Sequence, residues 1–185
     1  MTVFLKKVKV RPKWIIIVLI VALMWSLRIN WLTHQTLVEH REEVLERYSF
    51  SLVTTQQALN ASVHGDPKTS DQYLNAAREH LAIAIETAVL LGKMDDKYHL
   101  DNQGDIYQTV PYELRWLLDK ALNSKDKEKS LQIVNEAFVI FSKNFDSMTL
   151  KDPDSFRSQY LNTRSQWQSL NLKEAGLSLP SSSRI

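Results

Sequence analysis

The sequence predicts an all-α protein in which an N-terminal single-pass transmembrane helix continues into an antiparallel helical bundle of four to five helices. Three observations carry that expectation. Residues 14–27 hold no charge and follow five cations, Lys6, Lys7, Lys9, Arg11 and Lys13. No segment alternates apolar and polar side chains in the manner of a strand. The chain has only four glycines and five prolines, and outside the tail they fall where helices should begin or end.

The apolar run covers about 21 Å as a helix, short of a hydrocarbon core of about 30 Å. Length alone suits the hydrophobic region of a cleaved signal peptide. Cleavage, however, requires small residues in an A-x-A arrangement, and the stretch from Ala22 through Met24, Trp25 and Ser26 to Arg28 offers no such pair. The expected element is therefore an uncleaved signal anchor over residues 14–32. Lys13 and Arg28 snorkel outward at its ends, and Trp14, Trp25 and Trp31 sit at interface depth as membrane anchors in the lipid bilayer.

Five Lys or Arg residues precede the span, against Arg28 and Arg41 in the roughly fifteen residues after it, which predicts a cytoplasmic N-terminus. Residues 1–13 are then a basic cytoplasmic segment, and the C-terminal domain is extracytoplasmic. Beyond the five leading cations the chain carries 18 Lys and Arg against 21 acidic groups, a formal charge of −3. The overall pI of 8.7 thus reflects the anchor, and the exported part has no charge suited to nucleic acid. With no cysteine, disulfides, thiol catalysis, iron–sulfur ligation and cysteine-based zinc sites are all excluded.

Residues 33–171 are expected to form the bundle, with residues 28–43 as an exposed stalk. The first exported helix runs to about residue 63 and repeats Val38, Leu45, Leu52 and Leu59 every seven residues, while Glu39, Glu42, Glu43 and Glu46 form a solvated face. A second helix over residues 70–91 places Leu74, Ala77, Leu81, Ala84, Ala88 and Leu91 on one stripe and ends at Gly92. Its apolar second half suggests a central element. The third, over 111–123 with Pro111 in its first turn, packs through Leu114, Leu117, Leu118 and Ala121. The fourth, over 126–145, uses Leu131, Val134, Phe138, Phe141 and Phe145. The fifth, over 153–170 behind a capping Asp152, uses Phe156, Tyr160, Trp167 and Leu170. The connection over residues 93–110 is long for a bundle, and the tail, residues 172–185, is too poor in apolar side chains to pack.

Motifs that carry chemistry are missing. His34, His40, His64, His80 and His99 never stand at i, i+4 and no Glu-x-x-His occurs, so no metal site is expected. Asp95, Asp96, Asp101 and Asp105 do not fit the calcium-loop frame. No G-x-S-x-G elbow or phosphate loop is present, and no acid/base pair can be located by spacing; neither an enzyme nor a cofactor is expected. Glu86 aligns with Asn75, Glu79 and Lys93 on the solvent stripe of its helix.

Two departures from the pattern supply candidate sites. Tyr112 and Trp116, at i and i+4, point away from the leucine stripe of the third helix and suggest a partner-binding face, or a surface covered by residues 93–110. Arg41, with His34 two turns earlier, lies on the apolar stripe of the first helix; either it belongs to the exposed stalk or it faces an anionic ligand. The expected function is a membrane-anchored, non-enzymatic protein-interaction or adaptor module of the cell envelope, with another membrane or envelope protein as partner. The alternative is a small-molecule sensor bundle that signals through a membrane partner, because thirteen cytoplasmic residues cannot signal alone.

Overall fold

The computed structural model describes residues 12–98, 104–145, 152–170, 172 and 175–179. These residues contain no strand and form five helices: α1 (Pro12–His64), α2 (Ser70–Tyr98), α3 (Gly104–Leu122), α4 (Lys127–Asn144) and α5 (Pro153–Ser169). The chain divides into two compact units, Met1–His40 and Arg41–Ile185.

The first unit holds the apolar part of α1, one helix long and apolar enough to cross a membrane. From Ile16 to Leu32 its large apolar side chains are exposed, Trp25 to 65% and Trp31 to 59%. Arg28 is exposed as well. Such a surface is unstable in water and suited to lipid. Residues 1–11 and the side chain of Trp14 lie outside the described part.

In the second unit the first buried side chains are Val44 and Leu45, followed by Tyr48, Leu52 and Leu59. Together they supply the α1 side of a single apolar core. Val38, the first member of the seven-residue repeat, is exposed. The helix stops at Gly65, whose N–H donates to Ala61 O; a Cβ there would meet that carbonyl at 2.3 Å, so only glycine closes the turn so tightly. α4 and α5 begin as their sequences imply, with Asp126 and Asp152 accepting from Lys129 N and Ser155 N, and Pro153 in the first turn of α5.

The middle of the bundle differs from the sequence expectation. α2 does not end at Gly92 but continues to Tyr98, with Leu91, Gly92 and Met94 buried. Burial there outweighs the cost of about 1 kcal/mol that an interior glycine imposes. α3 begins seven residues before Pro111, so the connection expected over 93–110 is mostly helix and only residues 99–103 of it lie outside the described part. α3 packs against α2, α4 and α5, and Val110, Leu114, Leu117, Leu118 and Ala121 are all buried.

Pro111 sits inside α3, where it has no N–H for the carbonyl of Tyr107 one turn earlier. The hydroxyl of Tyr48, from α1, donates to that carbonyl at 3.0 Å. A defect in one helix is thus filled by the neighbouring one, in a nest of rings where Tyr48 meets Tyr107 edge-on and Tyr107 lies 4.6 Å from Phe156.

Candidate functional site

α3 has two functional-looking faces. Its inward face carries Glu113, 4% exposed, in line with Val110 and Leu117. The carboxylate accepts from the Tyr160 hydroxyl at 2.7 Å and from Arg164 Nε at 3.0 Å, both on α5, one turn apart. Burial raises the Glu113 pKa, and the Tyr160 hydrogen bond and the Arg164 charge oppose that rise without cancelling it. Tyr160 is pushed up by its own burial and by the carboxylate it faces. The geometry ties α3 to α5. A charged residue on an apolar stripe was the available sequence signal for Glu113, the same signal that singled out Arg41, but its partners lie about fifty residues away and no spacing rule finds them.

The outward face carries Tyr112, 50% exposed, and Trp116, 43% exposed. They stand apart from a bundle that otherwise hides most of its rings, with Tyr48, Tyr107, Phe138, Phe156, Tyr160 and Trp167 fully buried. Lys120, one turn on, holds its ammonium 4.8 Å from the Trp116 ring centre, and Arg115 pairs with Asp119 at 3.7 Å along the same exposed side. The result is an aromatic surface bordered by charge, the composition that protein-binding hot spots favour.

The described contact at Trp116 does not come from residues 93–110. The indole N–H donates to Ser178 O at 3.0 Å, so the chain's C-terminal segment reaches this face. That segment also corrects the expectation of an unpacked tail over 172–185. Leu172, Ala175 and Leu177 are buried in the core, and the carbonyl of Ala175 accepts from the hydroxyls of Ser124 and Ser130. Leu177 N–H closes back onto Leu172 O at 2.7 Å, through Gly176 at φ +69°. Three apolar side chains suffice because the backbone polar groups find partners; residues 180–185 lie outside the described part.

The second sequence candidate, His34 with Arg41, falls across the boundary of the two units. His34 is exposed. Arg41 is half-buried and engaged with its surroundings, rather than wholly exposed as a stalk position would be. Among the described residues, no three His, Asp or Glu side chains gather closely enough to hold an ion; His99, Asp101 and the side chains of Asp95, Asp96 and Asp105 lie outside them.

Comparison with protein-family models, with curated proteins and with solved structures finds no match for this chain.

Proposed function

We propose that this chain is a membrane-anchored adaptor: the apolar part of α1 holds it in the bilayer, and the helical bundle captures another membrane or envelope protein without catalysing a reaction. The observation that carries the reading is the exposure of Tyr112 and Trp116 on a bundle that buries most of its other aromatic rings. Exposed aromatic side chains at i, i+4 present large, rigid contact area at little conformational cost, which is why Trp and Tyr dominate binding energetics.

Orientation follows from charge. The five cations ahead of the span favour a cytoplasmic N-terminus and an extracytoplasmic bundle. A small-molecule sensor built around His34 and Arg41 is less well supported, because the apolar groove between α1 and α4 is lined by neither residue.

The test uses full-length protein expressed at its natural level in native membranes. Crosslinking followed by quantitative mass spectrometry should identify one or a few proteins whose recovery falls at least about tenfold with Trp116→Ala, as expected for a hot-spot residue. Unchanged recovery of every crosslinked protein would dismiss the Tyr112–Trp116 face as the contact surface.

A further inference from the structure

The exposed face of α1 changes character within the bundle. Glu42, Glu43 and Glu46 are exposed, and at 100° per residue they share a face with Phe50 and Val53. Phe50 is 67% exposed, more than any other large apolar side chain among the described residues from Arg41 onward, and Val53 is 42% exposed. Beside Val53 the surface dips into a narrow groove between α1 and α4, lined by Leu52, Phe138, Phe141 and Phe145, with a volume of about 30 Å³. The cation Arg47 stands at the edge of the face.

We infer that this face docks a basic amphipathic helix of a partner protein, its apolar side chains on Phe50 and Val53 and its Lys or Arg side chains over Glu42, Glu43 and Glu46. The proposal goes beyond the adaptor reading, since it concerns residues other than Tyr112 and Trp116 and stands or falls separately. A helix is the fitting shape because the acidic and apolar positions recur along α1 at steps of three and four residues. A helix laid alongside meets them with side chains at i, i+3 or i+4, and i+7. Charge chooses between occupants. A second copy anchored in the same membrane would run its α1 parallel to the first and set Glu46 against Glu46, a like-charge contact. Anionic lipid is repelled by the same carboxylates.

Two measurements on the full chain test this. In nanodiscs of phosphatidylcholine, a fluorescent Leu/Lys amphipathic helical peptide should bind above the level of empty discs. Its twin with Glu in place of Lys should not. Affinity should fall at least about tenfold with Phe50→Ser and with the combined Glu42→Gln, Glu43→Gln and Glu46→Gln variant, and it should weaken with salt. Equal affinity for either variant, equal binding of the acidic twin, or no binding overturns the proposal. In native membranes, a photocrosslinker at position 50 should join a Lys- or Arg-bearing amphipathic segment of another protein. Adducts with a second copy of this chain, with lipid or with an acidic segment, or none above a control at Glu86 on the exposed side of α2, overturn it equally.

Discussion

Tyr48 and Tyr107 lie 59 residues apart in sequence, and the hydroxyl of the first serves the backbone carbonyl of the second at 3.0 Å. That carbonyl needs an outside donor because Pro111 occupies the position whose N–H would ordinarily reach it. Both tyrosine side chains are fully buried, and burial holds the Tyr48 hydroxyl pKa well above its usual value, so it remains a donor at any physiological pH. Tyr48→Phe should therefore destabilise the protein by about 1–3 kcal/mol, the cost of an unpaired buried polar group. The diagnostic is the combination with Pro111→Ala, which returns an N–H to the helix. The two substitutions should be non-additive by about 1 kcal/mol or more, with the loss from Tyr48→Phe shrinking once Pro111→Ala is already in place. Additive losses in denaturant titrations of the full chain would detach Tyr48 from the proline.

Glu113 sets a pH dependence. Its folded-state pKa is raised, so the stability it contributes is fully present below the ordinary carboxylate pKa of about 4.3 and is lost as pH rises through the folded value. Glu113→Gln removes that titration. Above about pH 4, the stability of the wild type relative to Glu113→Gln should fall with rising pH until Glu113 is ionised in the folded state, then level off. Parallel stability curves for the two proteins across that window would show that burial does not dominate at this carboxylate.

The C-terminal segment should behave as part of the core. Leu177 is 2% exposed, so Leu177→Ala should cost about 2–4 kcal/mol, in the range of buried leucine truncations. Trp116→Ala, which removes one partly exposed hydrogen bond to Ser178, should cost nearer 1 kcal/mol. A thermal melt unchanged by Leu177→Ala would return the segment to a frayed tail.

Legibility in the sequence tracked the range of the interactions. The stripe of α2 from Leu74 to Leu91, the cap Asp152 and the turn at Gly65 are set by neighbours within a few residues, and each was readable from spacing. The continuation of α2 through Gly92 and the start of α3 before Pro111 were not, because local rules stop helices at such residues while burial of Met94 and the Tyr48 hydroxyl keeps these ones going. The packed tail was missed for the same reason. Its stability comes from Ser124 and Ser130, some fifty residues away, and nothing in the local composition announces them. At the candidate site, the placement of Tyr112 and Trp116 on the outer face of α3 was readable at i, i+4, but the Ser178 contact was not.

Membrane topology tests the central claim most directly. Protease added outside intact cells should digest the bundle, while the protein recovered from untreated cells should still carry residues 1–13, because the charge asymmetry favours an N-terminus inside and residues 22–28 offer no small-residue pair for cleavage. A bundle protected until the cells are opened, or a mature N-terminus near residues 27–33, would contradict it.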